Sequence, residues 1–327
     1  MNLTDLRHRY LHTKTWGTLE FIRIFNMTMP FTSGLIGVVM GAGGISMNRA
    51  AIAGMFIPVF LWAGGQVFND IFDLEVDRIN TPYRAVPSRR FSIQEAVLLG
   101  GGLTLTGVVL SILTRSYLCQ MLTILAVLLS NIYSCGLKRR GFLGHLNFAF
   151  CVLLCIYIGQ SAVSEKIVAV SAPIGIFFYH IAINIMASVG DVPGDKKTNV
   201  ITLPVQVGPR QATILATILW IGGVAWSAYW SRQTLQWMVI IVVILSLSTY
   251  NSVLLLHDPT PQNATTTLRL FRCGTILLQL SLVIQSLSPE HLFFLTAGLG
   301  SFTVVTFLLF EVPKGIHNPV QGVVSHG

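Results

Sequence analysis

From Ala51 to Asn80 the chain reads AIAGMFIPVFLWAGGQVFNDIFDLEVDRIN. Its first two thirds are an apolar run of the roughly 20 residues that cross a bilayer as a helix. Asn69 and four acids, Asp70, Asp73, Glu75 and Asp77, then crowd its end. A carboxylate at the end of an apolar helix is costly to keep without a partner. At about 100° per residue, Asp70, Asp73 and Asp77 fall within roughly 60° of one another, while Glu75 points elsewhere. Carboxylates so placed repel one another unless positive charge sits among them. A second acidic segment, Asp191-Val-Pro-Gly-Asp195, follows a later apolar run. The two segments hold six of the 13 acidic residues, a concentration that asks for a cation.

Outward from these segments the chain is apolar. Of 327 residues 53% are hydrophobic and 10% charged, against about a quarter charged in soluble domains. That excludes a soluble enzyme, a disordered chain and a nucleic-acid-binding module. The hydropathy predicts an all-α, polytopic membrane protein with spans at 21–44, 51–70, 93–113, 117–137, 143–163, 167–189, 211–230, 235–256, 269–287 and 291–310, ten helices in all. The first run, behind a basic leader, reads as a permanent helix rather than a cleaved signal. With the N-terminus cytoplasmic, only Arg49, Arg115, Lys166 and Arg232 of the 21 Lys and Arg residues fall outside. Positive residues favour cytoplasmic loops, so both termini are expected there. The long connections, 71–92, 190–210 and 257–268, are then cytoplasmic, and the acids with them. No span is expected to break in its middle, and Gly34, Gly37, Gly41, Gly43 and Gly44 read as sites of close helix packing. The five cysteines lack paired metal-ligand spacing and read as packing residues.

The acidic segments lie four spans apart, so a pseudo-repeat would bring them face to face across a central cavity. Arg78 and Arg84 follow the first, Lys196 and Lys197 the second, and Tyr133 with Lys138, Arg139 and Arg140 ends the fourth span on the same side. Facing carboxylates rimmed by cations fit an anion that brings hard cations of its own, best a diphosphate with magnesium.

At these residues the chain resembles the UbiA-type intramembrane prenyltransferases. The motif Asn-Asp-x-x-Asp-x-x-x-Asp is matched by Asn69–Asp77, and Asp-x-x-x-Asp by Asp191–Asp195. YSCGLKRRG, Tyr133 to Gly141, resembles the loop after span four, and Arg23 to Asn26 resembles an Arg-x-x-Asn element of the cavity wall. The stretch from Asp77 to Arg90 is most similar to the branch that includes digeranylgeranylglyceryl phosphate synthases. Arg89 replaces a glycine frequent in the family, Ile201 a lysine, and Ser188 an aspartate of that branch.

The resemblance implies one domain, residues 1–327, with a core at 19–287 in a nine-helix bundle and an added helix at 291–310. It implies that Asn69, Asp70, Asp73, Asp77, Asp191 and Asp195 hold two Mg2+ ions on the diphosphate. Arg84 and Lys138 would grip the diphosphate, Tyr133 and Asn26 would line the cavity near the allylic carbon, and Arg23 joins the substrate-binding set. Lys196 and Lys197 are weaker candidates, and Arg139 and Arg140 read as topogenic.

The implied reaction is Mg2+-dependent ionisation of an isoprenyl diphosphate in an apolar chamber open to lipid, with transfer of the prenyl group to a lipophilic, first of all aromatic, acceptor. Two alternatives stand beside it: cyclisation of the same kind of diphosphate, and transfer to a glycerol ether phosphate lipid, against which Ser188 argues. No nucleic-acid or obligatory protein partner is expected. His180, in span six, reads as a packing histidine as readily as a base.

Overall fold

The computed structural model describes residues 14–80, 84–198, 200–231 and 234–310. Arg7, Arg9, Arg232, Lys314 and the C-terminus, which bear on the expected orientation, lie outside the described residues, as do positions 81–83 of the extended motif. The helices, in chain order, are α1 (Lys14–Phe21), α2 (Thr28–Ala42), α3 (Arg49–Phe72), α4 (Leu74–Asn80), α5 (Ile93–Leu113), α6 (Tyr117–Cys135) and α7 (Phe142–Ser164). They continue as α8 (Ile174–Val189), α9 (Val192–Lys197), α10 (Leu203–Val207), α11 (Pro209–Trp230), α12 (Leu235–His257), α13 (Pro261–Ser281) and α14 (Pro289–Phe310). Among the described residues the only β pairing is an isolated bridge between Arg140 and Ile201.

Among the described residues six helices, α3, α5, α6, α7, α11 and α12, are long and apolar enough to cross a membrane. A seventh crossing arises if the bent pair 14–26 and α2 counts as one. The expected first span at 21–44 is therefore not one straight helix. The pair bends by 53°, because Arg23 takes a left-handed φ of 55° and a 3-10 turn, Ile24–Asn26, follows it. The expected span at 167–189 is shorter in the structure, its helix beginning only after Pro173. The span expected at 269–287 begins earlier, where Thr260 caps Asn263 N and Pro261 occupies the first turn, a position where its missing N–H costs nothing.

Both acidic segments sit at helix ends. Asp73 is the C-cap of α3, and the chain restarts as α4, which carries Asp77. Asp191 is the N-cap of α9 and Pro193 lies in its first turn.

Helix packing follows a repeat. α3 packs most extensively on α5 and α8 on α11, while α6 meets α7 as α12 meets α13. The two halves join where α2 crosses α7. There a Cβ on Gly37 would run into the Ile156 carbonyl, and one on Gly159 into that of Gly34. The buried side chains of Ile36, Val39, Ile156, Ile181 and Met186 fill the space around this crossing. Gly34, Gly37 and Gly41 are thus packing positions, as expected, but Gly43 and Gly44 meet nothing within 4 Å. Gly43 has φ 72° and ends α2 in the left-handed conformation that glycine adopts without a Cβ penalty. Arg89 likewise has φ 60°, which accounts for a glycine being usual there.

Candidate active site

A cavity of about 660 Å³ opens among α3, α6, α7, α8 and α13. On α3, Trp62, Gln66, Asn69 and Asp73 line it at intervals of four, three and four residues, one face of a helix. On α8 and its extension, His180, Asn184, Ala187 and Asp191 line it at the same intervals. The two acidic segments therefore meet over one cavity, with Asp77 and Asp195 also on its wall.

Asp70 is not on that wall: it is buried behind it, 3% exposed. Arg23 Nη2 donates to Asp70 Oδ1 at 2.6 Å, and Arg84 Nη1 lies 3.4 Å from the same oxygen while donating to Asp77 Oδ2 at 2.7 Å. Lys138 Nζ donates to Asn69 Oδ1 at 2.9 Å and also to Asp73 Oδ2, which in addition accepts from Asn69 Nδ2 at 3.0 Å. Arg139 pairs with Asp73 Oδ1 at 3.5 Å. The positive charge that the first acidic segment demanded is thus supplied, within the protein itself, by four cationic side chains.

The second segment is less satisfied. Thr202 Oγ1 donates to Asp195 Oδ2 at 2.9 Å, whereas Asp191 opens onto the cavity with no hydrogen-bond or ion-pair partner among the described residues. Asp191 is exposed at the cavity, yet the protein crowded around its carboxyl disfavours the charged form and, followed by the charge of Asp195, pushes the group up to about 6. Among the described residues no three His, Cys, Asp or Glu side chains converge as a ready metal cage. The donor set still fits magnesium, which takes one or two carboxylates and completes its shell with phosphate and water oxygens.

The remaining candidates divide. Tyr133, 6.3 Å from the ring of Phe148, Asn26, Arg23 and Ser188 line the cavity. Lys196 and Lys197 are exposed and off its wall. Arg78 is exposed and pairs with Glu75 at 2.9 Å, so Glu75 does point away. Arg139 reaches Asp73, although its place in a basic run suggested topology alone. Arg272 also lines the cavity, its guanidinium 5.2 Å from the centre of the Phe25 ring. Trp62, Gln66, His145 and Asn184 do not stand out in the sequence. The signal was there for three of them: the faces of Asp73 and Asp191, traced back along their helices, pass through Gln66 and Trp62, and through Asn184.

Residues 30–276 match the UbiA prenyltransferase family. The chain belongs to that family. It is an integral membrane enzyme and a UbiA-type intramembrane prenyltransferase. Among relatives, the digeranylgeranylglyceryl phosphate synthase of Sulfurisphaera tokodaii is 32% identical over 61% of this chain and 73% of its own. That of Methanosphaera stadtmanae is 27% identical over 75% and 90%. A solved digeranylgeranylglyceryl phosphate synthase structure superposes with TM-score 0.62 at 25% identity, covering 84% of this chain and 98% of that one. A UbiA homologue from Archaeoglobus fulgidus, bound to DMAPP and Mg2+, has TM-score 0.60 at 17% identity, covering 82% and 99%. At that identity the last likeness is one of fold.

Proposed function

We propose that this enzyme ionises an isoprenyl diphosphate with the help of Mg2+ and transfers the prenyl group to a hydroxyl of a glycerol ether phosphate lipid. The observation that carries the first half is the meeting of Asp73 and Asp77 with Asp191 and Asp195 over one cavity, ringed by Arg23, Arg84, Lys138 and Arg139. Asn69, Asp73, Asp77, Asp191 and Asp195 are the residues to hold Mg2+, two ions in our reading; Asp70, the sixth that the resemblance implies, stands behind them on Arg23 and Arg84. When bound, the metal neutralises charge that develops on the departing diphosphate. Arg84 and Lys138, already beside these acids, turn to the diphosphate oxygens as it enters. Tyr133 and Asn26 stand by the allylic carbon. Pro58, Leu61, Ala126, Ile183 and Ile276 wall the chamber with hydrocarbon, which keeps water from quenching a carbocation.

The acceptor is read from the relatives. A product named digeranylgeranylglyceryl phosphate carries two prenyl groups on one glyceryl phosphate, so its precursor carries one and offers a hydroxyl. A second reading, transfer to an aromatic acceptor, is favoured by the rings of Trp62, Phe148 and Tyr133 around the chamber, with Trp62 and Phe148 5.6 Å apart, and by the hydroxyl of Ser188 where the archaeal branch has a carboxylate. We further propose that the chain is a single domain of ten spans with the acidic rim and both termini cytoplasmic.

The test is to incubate membranes with labelled geranyl, farnesyl and geranylgeranyl diphosphate, adding geranylgeranylglyceryl phosphate, a panel of phenols, or nothing. The expected product is the doubly prenylated lipid. Product on phenols alone replaces the acceptor, and product with no acceptor means cyclisation.

A further inference from the structure

A second cavity, of about 730 Å³, opens at the start of α5, outside the active site. Four cations, Lys14, Arg78, Arg89 and Arg90, and one carboxylate, Glu95, line it. Three of the cations are answered. Lys14 pairs with Glu95, Arg78 with Glu75 at 2.9 Å and Arg90 with Glu20 at 2.6 Å. The exposed guanidinium of Arg89 has no hydrogen-bond or ion-pair partner among the described residues. The cavity thus carries one positive charge beyond those its own carboxylates answer. The Lys14 and Arg78 pairs are exposed, and exposed pairs are worth little, so both cations can turn to a new anion at small cost.

The backbone points to a ligand. Arg89 stands at φ 60°, a conformation that strains residues other than glycine, and the family commonly has a glycine there. An unpartnered side chain returns nothing to the fold for that strain, and strain of this kind gathers at ligand sites. The surroundings point to a lipid. Ile93, on the cavity wall, is the first residue of α5, which is long and apolar enough to cross a membrane. Ile93 and Val97, one turn apart, and Leu98 beside them are exposed, so an acyl chain can lie along them from the cavity into the bilayer. The first turn of a span sits at headgroup depth, where basic pockets between helices take anionic headgroups.

We infer that this cavity binds the phosphate of an anionic membrane lipid, with Arg89 as its main contact and Lys14 and Arg78 beside it, while the acyl chains follow α5 into the bilayer. A guanidinium gives the phosphate charge-assisted hydrogen bonds. Bound there, the lipid joins α1 to the loop before α5, which also carries Arg84. The inference needs membrane residence alone and is independent of the donor and acceptor assigned above.

The probe is dioctanoyl phosphatidylglycerol, compared with dioctanoyl phosphatidylcholine, which has the same chains and no net charge. Each is titrated into full-length protein in nonionic detergent, and bound lipid is counted by native mass spectrometry. The wild type is expected to hold the anionic lipid about tenfold more tightly. Arg89→Gly should cut that preference about fivefold, the share of one cation near a membrane surface. Glycine suits the backbone at φ 60°, so the fold is kept. Arg89→Gln, which removes the charge alone, should give the same loss. The control is Arg115→Gly: Arg115 has the same φ of 60° and is exposed, but it lies past the other end of the 21-residue α5, and its replacement should leave the preference unchanged. A wild type without preference overturns the inference, as do Arg89 variants that keep it or an Arg115→Gly variant that loses as much. Displacement of the lipid by inorganic phosphate at equal concentration would make the ligand a free anion and overturn the lipid assignment.

Discussion

Arg23 Nη2 donates to Asp70 Oδ1 at 2.6 Å, tying the turn before α2 to the end of α3 across 47 positions of sequence. The arginine reaches Asp70 from a left-handed backbone conformation, φ 55°, and Asp70 is almost wholly buried. Arg23→Ala should lower stability by about 2 kcal/mol, because it removes one of two cations from a buried carboxylate. The loss should be much smaller in an Asp70→Asn background, as thermal unfolding in detergent will measure. Equal losses in both backgrounds would show that the pair is not coupled.

Activity should require Mg2+ and vanish with EDTA. Asp191→Ala, which removes a carboxylate that opens onto the cavity without a protein partner, should lower turnover by roughly 100-fold or more. Undiminished turnover after exhaustive chelation would refute the diphosphate reading altogether.

The two acidic segments should act as a unit, since they face one cavity and, in the reading proposed above, hold one diphosphate between them. In a double-mutant cycle on turnover, Asp73→Asn combined with Asp195→Asn should be little worse than the poorer single variant. Strictly additive losses mean that the segments work independently.

Gly37→Ala should destabilise the protein by about 1 to 3 kcal/mol, because its new methyl group meets the Ile156 carbonyl at the α2–α7 crossing. Gly44→Ala, with nothing within 4 Å, is the control and should leave the unfolding temperature unchanged.

A topology reporter fused after Gly327 should read as cytoplasmic. This follows from the ten-span reading proposed above and from the excess of Lys and Arg that it puts on one side. An external reading would remove either the tenth span or the orientation.

Membrane residence and the all-α class were legible in the sequence, because a residue's apolar neighbours within one or two turns suffice to make a span. The phase of the acids was legible in part: periodicity puts Asp70, Asp73 and Asp77 on one face, but α3 ends at Asp73, so that Asp73 and Asp77 line the cavity and Asp70 does not, while α9 keeps Asp195 with Asp191. The four-span separation of the two acidic segments was enough to place them face to face, since equivalent ends of two like halves come together. Periodicity does not, however, say which side chain answers a charge from another helix. That Asp70 turns away from the cavity to Arg23 and Arg84, and that Arg139 joins Lys138 at Asp73, depends on how closely whole helices approach, which Gly37 and Gly159 decide by having no Cβ. The surroundings of His180 are likewise invisible in the sequence. There His180 is one histidine in an apolar run, the same letter whether its nitrogens are paired or not. Only the packing of α3, α7 and α8 sets the Phe148 ring 6.2 Å from His180 and 5.6 Å from Trp62, because contacts between helices are fixed by positions in space and not by spacing along the chain.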